Sequence, residues 1–226
     1  LFVAIPPRHK SQARWLTPLL VVALCAAFVW TQSMSPLARQ SLLQGWGMLG
    51  ALGMEGPDAS HPARWIRLVS ALFLHGDWSH LLGNLVFLMI FGLPAERVLG
   101  SLRLLAVFLL GGAIANLAAS LSIAGDQVII GASGAVSAVI GAWLTLFPNA
   151  RLGVVLPLGL FLEFVHAPAT WLIGLWILLQ VLFAYIGPAY GQVAWVAHVA
   201  GFGVGGALAL LSRGAIAKRM RRARGY

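Results

Sequence analysis

Charge is what this chain has least of. Only 9% of its 226 residues are Asp, Glu, Lys or Arg, against 60% hydrophobic, and the mean hydropathy is +0.88. Soluble domains carry about a quarter charged residues. This composition cannot coat an aqueous surface, so lipid must be a large part of the solvent. Acidic residues are scarcest: Glu55, Asp58, Asp77, Glu96, Asp126 and Glu163 are all there are. That shortage excludes two chemistries. Intramembrane aspartyl catalysis needs two buried Asp residues, and Asp126 in Ala-Gly-Asp-Gln has no partner within an apolar run. A zincin helix sets its histidines four apart with a Glu after the first, whereas His75 and His80 are five apart and lack that Glu. No metal and no cofactor is expected. The one cysteine, Cys25, sits in an apolar run, allows no intrachain disulfide and reads as a packing residue. Internal repeats and paired intramembrane charges are also missing, which speaks against a transporter or channel.

What is present is a series of apolar runs. A span needs about 20 residues, and the runs fall at about 15–32, 78–94, 104–123, 133–147, 171–186 and 194–211. They predict an all-α fold, a polytopic membrane bundle of six transmembrane helices. The first run follows a basic stretch but no clean cleavage site, and it reads as a retained span. The connection 33–67 is long yet rich in Leu, Met and Trp, which predicts short amphipathic helices in the membrane interface. The apolar stretch 151–167 is broken by Pro157 and Gly159 and holds Glu163, so it reads as an interfacial or re-entrant segment that does not cross.

The net charge of +9 would suggest nucleic acid in a soluble protein. Here the basic residues lie at the chain ends and in short loops, and no nucleic-acid partner is expected. With both termini cytoplasmic, twelve Lys and Arg face the cytoplasm and three, Arg39, Arg64 and Arg67, face outward. That bias follows the positive-inside rule. It divides the chain into a cytoplasmic segment 1–14, a transmembrane domain 15–212 with its interfacial loop 33–67, and a basic cytoplasmic tail 213–226.

Polar side chains at membrane depth are costly and mark function. Ser133 lies in Gly131-Ala132-Ser133-Gly134 at the start of the fourth run, where glycines admit a substrate backbone and free helix N–H groups would stabilise an oxyanion. Its bland reading is a small residue at a helix contact. His198 opens the sixth run on the same side. Ala197, Gly201 and Gly205 recur every four residues beside it, and Gly134, Ala138 and Gly141 give the fourth run a matching smooth face. A close crossing of the two would let His198 take the serine proton. The bland reading is an interfacial histidine bonded to a carbonyl. His80 and Asn84, spaced i and i+4, share a face and can donate hydrogen bonds to an oxyanion, or serve as polar glue between helices. His75, just before that run, reads as a support for the preceding loop. No acid within a run can orient His198, which predicts a dyad rather than a triad.

In this order the motifs resemble the rhomboid intramembrane serine proteases of bacterial, six-span type. The resemblance rests on Arg67 in Trp-Ile-Arg, His80-Leu-Leu-Gly-Asn84, Glu96 in Ala-Glu-Arg-Val-Leu-Gly, Gly131-Ala-Ser133-Gly134, and Ala197-His198-Val-Ala-Gly201 with Gly205. It implies a serine endopeptidase that cuts transmembrane protein substrates in or near the bilayer. Ser133 would be nucleophile and His198 base, and His80, Asn84 and the Ser133 N–H would bind the oxyanion. His75, Gly131, Gly134 and Gly201 would support the site, and the setting would be a bacterial inner membrane. The alternative is a non-catalytic relative that binds transmembrane clients. Two positions depart from the family: Ile66 stands where Trp often precedes the loop Arg, and Ser137 stands where an aromatic often packs under the catalytic histidine.

Overall fold

A backbone in lipid must satisfy its hydrogen bonds internally, and Leu-, Ala- and Val-rich runs do so as helices. The computed structural model describes residues 14–50, 63–123, 127–158, 161–186 and 195–223. Residues 1–13, 51–62, 124–126, 159–160, 187–194 and 224–226 lie outside them. The chain is a helical membrane bundle. Its main helices are α1 (Leu16–Gln32), α4 (Trp78–Phe87) continuing through a π segment (Leu88–Gly92) into α5 (Leu93–Leu99), α6 (Ser101–Ser120), α7 (Ser133–Leu146), α8 (Ala169–Ile186) and α9 (Trp195–Ala223). Trp78–Leu99, Ser101–Ser120 and Trp195–Lys218 are long and apolar enough to cross a membrane, while Leu16–Gln32, Ser133–Leu146 and Ala169–Leu179 are shorter apolar helices.

The expected interfacial connection contains the helices α2 (Pro36–Trp46) and α3 (Ala63–Ser70) and a two-residue strand β1 (Met48–Leu49). Ser35 caps α2 and Pro36 opens it, a favourable start. β1 pairs antiparallel with β2 (Val128–Ile129), just before the Gly131–Gly134 loop. The Gly50 N–H extends that pairing to the Gln127 carbonyl at 3.1 Å. A short 3-10 turn, Ala71–Phe73, follows α3, and its Ala71 carbonyl accepts the Gly131 N–H at 2.9 Å. This connection is thereby tied to the loop that carries Ser133.

The chain's second half adds one element and corrects one boundary. The stretch 151–167, expected as an interfacial or re-entrant segment that does not cross, takes the form of an antiparallel hairpin, β3 (Arg151–Leu158) with β4 (Phe161–Pro168). Its runs of Val and Phe favour extended backbone, and Pro157 opposes a helix. Because Arg151 pairs with Pro168, the chain leaves and returns on one side. The final helix also continues well past the expected end near Leu211, since no Pro stops the Ala-, Arg- and Lys-rich sequence that follows. Ile216 in this extension is still buried in the common core.

Glu96 holds the start of α1. That helix begins with no cap of its own, Trp15 giving no side-chain bond. The buried Glu96 carboxylate accepts the Leu16 and Thr17 N–H groups at 3.0 Å each and the Thr17 hydroxyl at 2.7 Å. It also accepts the Ser101 hydroxyl at 2.6 Å. Negative charge at a helix N-terminus is stabilising, and charge-assisted bonds are the strong kind. One carboxylate thus joins α1, α5 and α6. The face of α1 that follows, Leu16, Leu20, Leu24 and Phe28, repeats every four residues and is fully buried.

Candidate active site

Small residues set the position of the site. Among the described residues, α7 and α9 make the most extensive helix contact. A side chain at Gly201 would overlap the Gly134 carbonyl, one at Gly205 would overlap the Ala138 carbonyl, and one at Gly141 would overlap the Phe202 carbonyl. Gly206 meets the Thr145 hydroxyl, 3.2 Å from its virtual Cβ. The contacts advance together along both helices, so α7 and α9 run parallel and their N-terminal ends lie at the same end of the bundle. α6 joins them: a Cβ at Gly134 would come within 2.7 Å of Ala115 Cβ, and one at Gly112 within 2.8 Å of Ala135 Cβ. The Gly111-Gly112 and Ala115 face of α6 was missed in the sequence, although Gly111, Ala115 and Ala119 repeat every four residues.

Ser133 is the first residue of α7 and His198 the fourth of α9. Their immediate neighbours face each other: a Cβ added to Gly134 would lie 3.7 Å from Ala197 Cβ. α7 has only 14 residues. At about 1.5 Å per residue it spans about 21 Å, short of the roughly 30 Å hydrocarbon core. Its Ala132 N-cap gives no side-chain bond, and the first N–H groups of a helix have no partner within it. Half-buried Ser133 therefore sits among backbone donors at a positive dipole end.

The other predicted residues gather around the loop before Ser133. Gly131 has φ +118, a conformation that favours glycine, and the His80 ring lies over it, Nε2 being 2.6 Å from its virtual Cβ. Asp77 caps α4 by accepting the His80 N–H at 2.8 Å, which fixes where His80 begins its turn. Asn84, buried one turn on, donates to the His80 carbonyl at 3.0 Å. His75 is fully buried, edge-on to His80 with ring centroids 5.1 Å apart. Its Nε2 accepts the Ala132 N–H at 3.4 Å. Its Nδ1 has no well-aligned partner, although the Phe73 carbonyl is close enough to favour a proton there. Burial, helped by the charge of His80, pushes the His75 pKa down to about 4, so the ring is neutral at neutral pH and free to accept. Exposed Asp77 is held below the usual carboxylate range by the Ser79 hydroxyl and the His80 N–H.

His198 lies within electrostatic range of His80. Two indoles contact its ring: Trp176 of α8 lies nearly parallel at 6.1 Å and 28°, and Trp195 stands edge-on at 6.0 Å and 84°. Ser137, one turn below Ser133, donates to the Ser133 carbonyl at 2.7 Å and offers His198 no ring. Arg39 was not foreseen as a site residue. From α2 it donates to the His75 and Gly76 carbonyls and so ties that helix to the loop before α4. Asn116 donates to the Leu68 carbonyl at 2.9 Å, joining α6 to α3. Among the described residues no cluster of three His, Cys, Asp or Glu could hold a metal.

The Rhomboid domain family model matches residues 62–214, well over half of the chain and every site residue named above except Arg39. The chain belongs to the rhomboid family. Among curated rhomboid relatives, RHOMBOID-like protein 5 of Arabidopsis thaliana is 29% identical over 164 residues, 62% of this chain and 53% of that protein. "Putative rhomboid protease YdcA" of Bacillus subtilis is 36% identical over 91 residues, 39% of this chain and 46% of that protein. Rhomboid-related protein 2 of Mus musculus is 27% identical over 210 residues, 85% of this chain and 64% of that protein. The chain thus spans about half the length of the first two and under two thirds of the third. This rhomboid domain has a serine at the head of α7 and a histidine in the first turn of α9, at the same end of the bundle.

Proposed function

We propose that this rhomboid-family protein is an intramembrane serine protease. It hydrolyses peptide bonds in or near transmembrane segments of other membrane proteins, with Ser133 as nucleophile and His198 as base. The Ser133 oxygen attacks the scissile carbonyl carbon while its proton passes to a His198 ring nitrogen. The resulting oxyanion is held by the Ser133 N–H, His80 and Asn84. Collapse breaks the C–N bond, and His198 returns the proton to the leaving amine. Water then adds to the acyl-enzyme by the same route and releases the acid. No cofactor or metal enters these steps. The reading carries its topology with it: residues 15–212 form the catalytic membrane domain, 1–14 and 213–226 are cytoplasmic, and the setting is a bacterial inner membrane.

The observation that supports this most is the glycine-lined crossing of α7 and α9, where Gly201 packs against the Gly134 carbonyl and Gly134 faces Ala197, the chain neighbours of the two catalytic candidates. The Bacillus subtilis relative, with protease in its name, points the same way. The test is cleavage of a model transmembrane substrate by the purified full chain in liposomes. Ser133→Ala and His198→Ala are each expected to abolish cleavage while the thermal unfolding midpoint stays in place. Cleavage retained by purified Ser133→Ala would overturn the mechanism, and an inactive wild-type chain that still binds the substrate would favour a client-binding role.

A further inference from the structure

A histidine base must be held in one plane. Its backbone fixes Cβ, but the last torsion of an imidazole is broad, so the groups packed around the ring bear on the plane it takes. α7 does not supply that packing, because Ser137 is turned to the Ser133 carbonyl at 2.7 Å. The one ring lying nearly parallel to His198 among the described residues is Trp176, at 6.1 Å and 28°. Trp195 meets it only with an edge. Trp176 is itself held. It is half-buried against the common core and shares one face of α8 with the buried Ala169 and Ile173, at spacings of four and three.

We propose that Trp176 is a positioning residue for His198, so that α8 rather than α7 sets the plane of the base. A flat indole face leaves the imidazole free to keep its ring nitrogens directed along its own plane toward Ser133. It also offers its negative π face to the ring at the moment His198 takes the serine proton and becomes cationic. The inference rests on the protease reading and adds to it a role for a helix that carries neither catalytic candidate.

The experiment measures how fast a fluorophosphonate probe labels Ser133 in the purified full chain, in detergent. Ser133→Ala serves as the blank and thermal unfolding as the control on folding. Trp176→Leu keeps apolar bulk but loses the plane, and Trp176→Phe keeps a plane. Labelling of Trp176→Leu is expected to slow at least about tenfold, since misplacing a reacting group by about 1 Å costs up to about a hundredfold. Trp176→Phe is expected to stay within about threefold of the wild-type chain. For a transmembrane substrate, kcat should follow the labelling rate and KM should stay unchanged. Trp176→Leu labelling within about threefold of wild type, or Trp176→Phe slowing as much as Trp176→Leu, would overturn the proposal while leaving the Ser133 reading intact. A wild-type chain that is not labelled at Ser133 would instead sink the protease reading and this inference with it.

Discussion

The α7–α9 contact and helix α8 are built on opposite plans. Where α7 meets α9, glycine and alanine let the two backbones touch, and Gly134, Ala138, Gly201 and Gly205 are all buried. Helix α8 touches the bundle through Ala169, Ile173 and Trp176, and shows Trp171, Leu175, Leu178 and Tyr185 to its surroundings. Without a hydrophobic driving force between helices in lipid, close backbone packing is what holds them together. The first contact is therefore rigid and intolerant of added atoms, and it is the one beside Ser133 and His198. The second is held by a few large side chains, so substitutions there can change the site without dismantling the bundle.

The largest effect should come from the crossing itself. Gly201→Leu would drive a side chain into the Gly134 carbonyl, and backbone cannot yield as a side chain can. A loss of more than about 3 kcal/mol is expected, beyond ordinary overpacking, with a large fall in the thermal midpoint in detergent. Gly203→Ala, two residues on with open space around it, should leave the midpoint unchanged. If both variants melted alike, the contrast between the two regions would fail. Next is Glu96, which stabilises the bundle away from either contact. Glu96→Gln replaces one acceptor oxygen with a donor facing groups that also donate, and should cost roughly 2–3 kcal/mol in reversible unfolding.

A smaller effect should appear with pH. His75 is held near 4 in the fold and titrates at 6.5 when unfolded. Between those values the unfolded chain binds a proton that the folded chain refuses, so stability rises with pH there. The contribution is complete above 6.5 and is lost as the pH falls to about 4. Thermal midpoints measured across that window should drop more steeply in the wild-type chain than in His75→Gln, and parallel profiles would contradict the role given to His75. Smallest of all, Leu178→Ala on the exposed face of α8 should shift the midpoint by no more than about 0.5 kcal/mol in equivalent stability.

Some of this was legible in the residues and some was not, for physical reasons. Apolar runs marked the six main helices because length and hydropathy are local properties. The Gly201 and Gly205 stripe was legible because small residues at a spacing of four announce a close contact, and the parallel course of α7 and α9 agrees with the same-side reading of Ser133 and His198. The same spacing on α6 was there to be read and was missed. The hairpin at 151–168 was not legible as a hairpin, since a short apolar run has no period that separates a strand from a buried helix. Arg39 and Trp176 left no local signal at all. Arg39 acts on carbonyls 36 and 37 residues away. Trp176 is one of nine tryptophans, and only the packing of α8 on α9 brings it to His198.

The most direct test of the central claim is where a fluorophosphonate forms its covalent adduct, determined by peptide mass spectrometry on the wild-type chain and on His198→Ala. The account predicts an adduct on Ser133 in the wild-type chain and none in the variant, because the hydroxyl depends on the base that the α7–α9 crossing sets beside it. An adduct on Ser133 of equal yield without His198, or an adduct on another residue only, would contradict it.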